Sequence, residues 1–237
     1  MDAQLQHLIL GSLLHDIGKV MQRAEVEVSD QTGRYMSQAG PTRDGHSTHY
    51  HVQWTDQFFE EHFADWTRRG LPEPTDPDEG ARPLAFHHHN PRNVLHEIVK
   101  RADWLSSGME RGEQAYEQSV HKRRRMTPVR ALLTTDKTAP GRIVYSPLTE
   151  LTSTDDSCYP LEPKKAEKDE WLVSEYDSLW RRFLTDWQER QPAGLSAICA
   201  CLDSLFERYF WSVPASTVDK LPDNSLYAHS RTTAAIA

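Results

Sequence analysis

The sequence predicts a mainly α-helical bundle interrupted by an irregular insert that contains a short β-hairpin. Apolar residues recur at helical spacing in several long segments of the 237-residue chain. Proline residues punctuate positions 127–163, where short β-prone pieces such as residues 142–145 replace the helical pattern. The chain is long enough to bury a substantial core, and its net charge of -8 makes it acidic.

Four helical segments are expected before residue 110. Apolar positions run at helical spacing from Leu5 to Val20, which predicts one continuous first helix. Similar patterns predict helices over residues 51–63, 84–89 and 91–109. Residues 29–47 are polar and lack a period, and residues 71–80 are acidic and broken by proline, so both are predicted to be loops.

Helical periodicity returns after the insert, over residues 169–190 and 195–211. The aromatic residues in these segments follow the helical spacing and predict core packing rather than a base-stacking surface. Ser225 is a candidate cap for a final helix that stops at Ala237 as if unfinished, which favours an excerpt of a longer protein. We divide the chain into residues 1–126, an insert over 127–220, and the final helix over 221–237.

Composition and targeting signals argue against a membrane role. The N-terminus lacks a basic region followed by an apolar stretch, and every apolar run is too short to span a bilayer, so we expect a cytoplasmic protein. The chain has three cysteines, an odd number: Cys158, Cys199 and Cys201. The Cys-Ala-Cys sequence at residues 199–201 lacks the spacing of common structural zinc sites. Reduced thiols are therefore expected.

Candidate metal ligands occur on five helical or helix-edge segments. His15 and Asp16 adjoin at the end of the first apolar run, and imidazole with carboxylate suits first-row divalent metals. Because adjacent helical residues point about 100° apart, both reach metal only at a broad site such as a dinuclear centre bridged by Asp16. Asp103 lies in an apolar helix, where an unpaired charge is costly. The candidate ligands are His15, Asp16, His51, His88, His89, Asp103 and His229.

Clustered histidines leave part of the ligand set open. Any of His46, His49 and His51 could ligate, and the run at residues 87–89 does not show which two imidazoles point inward. Isolated histidines are more often surface or hydrogen-bonded core residues than ligands. On that ground we set aside His7, His62, His96 and His121.

The order of these residues resembles the HD-domain metal-dependent phosphohydrolases. Such proteins usually have a further histidine on a helix before the His-Asp helix, whereas here the matching segment, with His229, comes last. This order is a circular permutation. It is similar to the N-terminal HD domain of the large subunit of type III CRISPR effector complexes, and the Csm branch of type III-A matches best. Residues 13–24, 98–111 and 225–237 carry most of the resemblance.

The resemblance implies a nuclease that hydrolyses single-stranded DNA, as an endonuclease or exonuclease, in defence against viruses and plasmids. His15, Asp16 and Lys19 would be catalytic, with Lys19 neutralising phosphate. The cofactor would be two divalent transition-metal ions, with Mn or Ni favoured over Mg, Fe and Co. The implied partners are other subunits of a CRISPR ribonucleoprotein with guide RNA and target RNA. The family's Palm domains, with a Gly-Gly-Asp-Asp motif for cyclic oligoadenylate synthesis, are absent from this chain.

DNA binding and activity have alternatives. The basic run Lys122, Arg123, Arg124 and Arg125 is a candidate DNA contact in an otherwise acidic chain, but it could be a solvated surface while partner subunits supply the basic channel. Competing functions are an HD phosphohydrolase acting on small nucleotides, which predicts a closed pocket, and a degenerate scaffold domain. The scaffold alternative rests on Ala228, because the family usually has an acidic residue immediately before the last histidine.

Overall fold

The computed structural model describes residues 2–64, 67–107, 145–154, 157, 160, 169–215 and 224–237. Within these ranges the chain is mainly helical, as predicted, with a small antiparallel hairpin that pairs Thr42 with Ser47. The elements are α1 (Ala3–Leu14), α2 (Gly18–Arg23), α3 (Asp30–Ala39), β1 (Thr42–Arg43), β2 (His46–Ser47), α4 (His51–His62), α5 (Ala81–Phe86), α6 (Val94–Ser106), α7 (Asp169–Arg190), α8 (Leu195–Phe210) and α9 (Leu226–Ile236).

The predicted single first helix is wrong, because the chain breaks at residues 15–17 into α1 and α2. His15 and Ile17 keep right-handed backbone angles, but the main-chain bonds tighten to three-residue spacing, as from Ile17 N to Leu14 O (3.2 Å). The Thr55 hydroxyl donates to His15 O (3.0 Å) and accepts from Gly18 N (3.1 Å). A side chain from α4 therefore satisfies main-chain groups at the break.

Gly18 is required where α2 meets α4. A Cβ atom at this position would lie 2.1 Å from His51 O and 2.5 Å from Thr55 N. Both obstacles are main-chain atoms that cannot move without shifting α4. The missing side chain therefore sets the close approach of the His15–Asp16 turn to the helix that begins at His51.

The loop predicted over residues 29–47 is wrong for residues 30–39, which form α3. Ser29 caps this helix by accepting a hydrogen bond from Thr32 N (3.2 Å). Thr32, Met36 and Ala39 form a buried face at helical spacing. The apolar periodicity of residues 30–39 is weak because most of the segment is polar. The capping residue Ser29 was therefore a better sequence indication of this helix than its apolar residues.

The remaining helices lie close to their predicted positions. Helix α7 has the predicted bounds, α8 ends one residue early, and Ser225 caps α9 by accepting from Ala228 N (3.1 Å). Helix α5 ends at Phe86, so residues 87–89 form a turn rather than the end of a helix. The basic run at residues 122–125 lies outside the described residues. So does the hairpin predicted near residues 142–145, except for residue 145.

The apolar core joins α4 to α7 and α8 through aromatic rings. Trp180 and Phe183 stack with ring centroids 5.4 Å apart, and Phe183 contacts Phe210 at 4.9 Å. Phe58 connects this cluster to α4 through its contact with Trp180 at 5.9 Å. Burying each such ring contributes about 1.5–3 kcal/mol. The predicted assignment of these aromatic residues to the core agrees with this packing.

Helix α9 closes the bundle by packing against α1 and α6. The last helix of the chain thus lies beside the first, which is the arrangement expected of the permuted order. Cys199 and Cys201 are free thiols, and Cys158 lies outside the described residues. Among the described helices, none has the length and apolar composition needed to cross a membrane.

Candidate metal centre

The structure brings all seven predicted ligands together at the centre of the bundle. His15 and Asp16 lie in the α1–α2 turn, His51 begins α4, Asp103 is on α6 and His229 on α9. His88 and His89 lie in the turn after α5. Their side chains form two groups that could each hold a metal ion and that share Asp16: His15, Asp16, Asp103, His229; and Asp16, His51, His88, His89.

The first group, which we call site 1, is compact. His229 Nε2 lies 3.2 Å from Asp16 Oδ2, 3.1 Å from Asp103 Oδ1 and 3.1 Å from His15 Nε2. His15 Nε2 lies 3.4 Å from Asp16 Oδ2 and 3.6 Å from Asp103 Oδ1. Ligands about 2.1 Å from one ion are about 3.0–3.4 Å from each other. These donor atoms therefore have the spacing of a single coordination sphere.

The second group, site 2, uses the other oxygen of Asp16. Asp16 Oδ1 lies 3.0 Å from His51 Nε2 and 3.9 Å from His88 Nε2. These three atoms and His89 Nε2 are buried without a hydrogen-bond partner among the described residues. Buried polar atoms are normally satisfied, and a metal ion is one partner that these four converging atoms could share. Asp16 thus directs one oxygen into each group.

Hydrogen bonds on the far side of two rings fix their tautomers. His15 Nδ1 bonds Ser12 O (2.7 Å), and His88 Nδ1 bonds Ala85 O. A main-chain carbonyl can only accept, so each Nδ1 carries the proton and each neutral ring has its lone pair on Nε2. In the neutral rings these lone pairs face the Asp16 carboxylate, an arrangement that is repulsive unless a proton or a metal ion lies between the two groups.

The charges of site 1 also favour a cation. Burial disfavours the charged form of His15, but Asp16 and Asp103 outweigh it and raise the pKa of His15 to about 10. Burial likewise opposes ionisation of Asp16, yet Lys19 and His15 hold the pKa of this carboxyl well below its usual range. The two carboxylates therefore stay ionised and recruit positive charge, as a proton on His15 or a metal ion.

The imidazoles of site 2 remain neutral. Burial is the main cause that lowers the pKa of His51, and Asp16 offsets it only in part. Burial also holds the pKa values of His88 and His89 well below the usual range for histidine. Neutral imidazole is the form that binds metal, so burial keeps these side chains ready for ligation.

Lys19 lies beside the carboxylate rather than in open solvent. Its ammonium group bonds Asp16 Oδ2 and also donates to Ala215 O (2.8 Å), with about a fifth of the side chain exposed. The predicted role in phosphate neutralisation is untested. The observed contacts show a narrower function, because Lys19 holds Asp16 against the segment that follows α8.

The structure shows which of the clustered histidines face the candidate metal centre. His87 turns away from the centre, with its Nε2 3.4 Å from the Tyr35 hydroxyl and its ring 5.1 Å from His96. His49 stacks on His89 with centroids 3.8 Å apart, while His46 is exposed. His51, His88 and His89 are thus the members of the two clusters that face Asp16, and His49 borders them.

Two positioning residues were missed by the sequence analysis. Thr55 was assigned no role from the sequence, yet its hydroxyl joins both sides of the His15–Asp16 turn. Ser106 was not noted; its Oγ lies 2.8 Å from His229 Nδ1. A buried hydroxyl beside a ligand motif was the available signal for Thr55, whereas the Ser106 contact joins residues 123 positions apart.

A cavity of about 710 Å³ lies outside the metal centre. Its lining includes Tyr35, Asp56 and Arg82 and contains none of the predicted ligands. Arg82 makes two hydrogen bonds to the buried Asp56 carboxylate, at 2.6 and 2.8 Å. This ion pair compensates the buried charge of Asp56, and the cavity lies apart from the predicted ligands.

No protein-family model matches the chain. It is 29% identical over 245 residues to the CRISPR system single-strand-specific deoxyribonuclease Cas10/Csm1 (subtype III-A) of Methanocaldococcus jannaschii, covering 97% of this chain and 27% of that protein. A solved Csm1-Csm4 subcomplex of the type III-A CRISPR-Csm interference complex matches all of the chain and 27% of its counterpart, with 20% identity and a TM-score of 0.49.

The sequence comparison confirms the predicted resemblance. The chain is homologous to Cas10/Csm1 of type III-A CRISPR systems along almost its whole length. It spans about a quarter of that relative's length.

Proposed function

We propose that this chain, a homologue of Cas10/Csm1, is the HD domain of a type III CRISPR large subunit and hydrolyses phosphodiester bonds in single-stranded DNA. The observation that supports it most directly is the position of Asp16. Its Oδ2 belongs to site 1 and its Oδ1 to site 2. A carboxylate shared in this way suits a two-metal hydrolase. The substrate class follows the name of the relative, a single-strand-specific deoxyribonuclease.

The residues divide into two ligand sets. Site 1 would be held by His15, Asp16, Asp103 and His229, and site 2 by Asp16, His51, His88 and His89. The imidazole-rich N/O donor set favours Mn or Ni over Mg, with Fe and Co also compatible. Two ions held by these residues would supply Lewis acidity for activating a water molecule and for stabilising the leaving oxygen of a phosphodiester.

The protein's own contribution is to hold these donors in place. Ser12 O and Ala85 O fix the tautomers of His15 and His88, and Thr55 secures the turn that carries His15. Lys19 fixes Asp16 and, being partly exposed, would meet the phosphate at the edge of site 1. Fixed donors remove the need to reorganise the site during the reaction.

Binding of the strand would draw on other components. The chain carries 35 acidic against 27 basic residues, and phosphate neutralisation is the main source of non-specific DNA affinity. The basic run at residues 122–125 is one candidate contact. Other subunits, with guide RNA and target RNA, would supply the rest in a cytoplasmic antiviral complex. Cyclic oligoadenylate synthesis would belong to Palm domains outside this chain.

The proposal is tested by incubating the purified chain with Mn²⁺ and with labelled single-stranded DNA, double-stranded DNA or dNTPs. Cleavage confined to single-stranded DNA is the expected result. Hydrolysis of dNTPs alone would instead identify a small-nucleotide phosphohydrolase. Absence of turnover with Mn²⁺, Ni²⁺, Co²⁺, Fe²⁺ and Mg²⁺ would favour a scaffold domain. Circular and linear strands compared in the same assay distinguish endonuclease from exonuclease activity.

A further inference from the structure

His229, the candidate ligand on α9, lacks the acidic residue that usually precedes the last histidine in the HD domains that this chain resembles. Residue 228 is Ala, and its position on α9 is exposed, whereas His229 is buried. We infer that Ser106, on α6, is the positioning residue that fixes the tautomer and orientation of His229 for metal binding. This inference rests on the proposed function, since it assigns a role within site 1.

Ser106 lies at the junction of the two helices that contribute Asp103 and His229. Its Oγ lies 2.9 Å from Asp103 O, 2.8 Å from His229 Nδ1 and 2.7 Å from the Thr233 hydroxyl. Thr233 in turn bonds His229 O at 2.9 Å. The same hydroxyl therefore touches the main chain of one ligand and the ring of another.

The hydroxyls beside Nδ1 of His229 favour one tautomer of the ring. The network has four contacts, but the hydroxyls of Ser106 and Thr233 supply only two protons. If Nδ1 is bare, two contacts at most are hydrogen bonds. If Nδ1 carries the proton and donates to Ser106, three are. The contacts on this side of the ring therefore favour a proton on Nδ1. This is also the only neutral tautomer that leaves Nε2 free to bind a metal ion.

This tautomer places the lone pair of His229 on Nε2. That atom lies 3.1 Å from Asp103 Oδ1 and 3.2 Å from Asp16 Oδ2, in the middle of site 1. His229 thus matches His15, whose Nδ1 donates to Ser12 O. Outer partners of this kind orient a ligand and raise its basicity. Ser106 thus orients the His229 ring, a role that the family pattern would assign to an acidic residue at position 228.

The test compares Mn²⁺ affinity in the full chain, followed by titration calorimetry, for Ser106→Ala, Ser106→Thr and Ser174→Ala. Ser174 is the matched control, because its hydroxyl also bonds the carbonyl three residues earlier, Trp171 O at 2.7 Å, but on α7. Ser106→Ala is expected to weaken binding about 10–100-fold. Ser106→Thr keeps the hydroxyl and is expected to restore affinity, and Ser174→Ala to leave it unchanged.

A second readout separates positioning from stability. In the Zn²⁺-loaded parent chain, ¹⁵N NMR of the His229 ring is expected to show metal on Nε2 and a proton on Nδ1, and Ser106→Ala is expected to lose this signature. Ser106→Cys, which preserves volume but accepts weakly, replaces the alanine variant if that variant does not fold. Parent-like affinity and ring signals in the variant would overturn the role of Ser106 alone, whereas a parent chain that binds no metal would overturn the proposed function as well.

Discussion

Two regions of this molecule contain buried histidines, and the regions differ in the groups that their ring nitrogens contact. Beside residues 72–81, His7 accepts from Ala81 N at Nδ1 (3.2 Å) and bonds Pro72 O through Nε2 (3.0 Å). His96 accepts from Arg92 N at Nδ1 (3.2 Å) and bonds Asp78 O through Nε2 (2.8 Å). In the candidate metal centre, His15 and His88 donate the Nδ1 proton to a main-chain carbonyl, and their Nε2 atoms face Asp16.

The difference shows that burial alone does not identify a metal ligand. His7 and His96 are as deeply buried as His15 and His229, but the main chain satisfies both of their ring nitrogens. A ligand is recognised by a lone pair that converges with other donors on one point. Substitutions in the two regions should therefore have different consequences for metal binding and for stability.

The largest effect is expected for Asp16→Ala. Removing the only carboxylate shared by both sites is expected to abolish Mn²⁺-dependent cleavage of single-stranded DNA, while circular dichroism and melting show a folded bundle. Asp177→Ala is the control, since this carboxylate pairs with Arg181 on the surface of α7, at 2.8 Å. Cleavage retained by Asp16→Ala would refute the metal assignment.

His88→Ala is expected to remove one ion rather than the whole centre. Its Nε2 belongs only to site 2, and site 1 keeps its four side chains. Calorimetric titration with Mn²⁺ is expected to show two sites in the parent chain and one in the variant, with DNA cleavage strongly reduced. His87→Ala is the neighbouring control, because that ring faces Tyr35 and His96. Two ions in His88→Ala would place His88 outside the ligand set.

Thr55→Val tests the link between the core and the centre. The substitution keeps the shape but leaves His15 O and Gly18 N without their hydroxyl partner, at a cost of about 1–3 kcal/mol. Because these groups belong to the turn that carries Asp16, Mn²⁺ affinity is also expected to fall, by about tenfold. Thr55→Ser should preserve both properties. A loss of stability with unchanged affinity would show that Thr55 supports the fold only.

His96→Ala is expected to lower stability without affecting metal binding. The change removes two main-chain contacts, to Arg92 N and Asp78 O, at a cost of about 1–3 kcal/mol in the free energy of unfolding. Chemical denaturation and Mn²⁺ calorimetry measure the two properties separately. Weakened Mn²⁺ binding would break the division between the two groups of histidines.

The residues that converge on Asp16 could be predicted from the sequence because the prediction depends on residue types and on their order. The chain pairs His with Asp, places Asp103 in an apolar helix, and has a capped final segment, and each feature is local. The contact between α1 and α9 could be expected only from the family resemblance, since no local pattern joins His15 to His229, 214 residues apart.

The local geometry of the centre was less accessible. His15 and Ile17 keep helical backbone angles, and the apolar period continues through the break that Thr55 stabilises, so the sequence pattern does not mark it. Likewise, residues 87–89 lie in a turn, where helical periodicity does not give side-chain directions. His87 was separated from His88 and His89 only by its packing against Tyr35 and His96.

The smallest effect at neutral pH is expected from His62, a partly buried histidine at the end of α4. Burial, with a further contribution from Arg69, lowers its pKa from 6.5 to about 4. The unfolded chain therefore binds a proton between these values that the folded chain does not, so stability is full above pH 6.5 and declines as pH falls towards 4. His62→Gln should flatten the pH dependence of the free energy of unfolding by about 1–3 kcal/mol across this window. Because His62 lies outside both ligand groups, its substitution should leave Mn²⁺ affinity at neutral pH unchanged, and an altered affinity would show that the two regions are coupled.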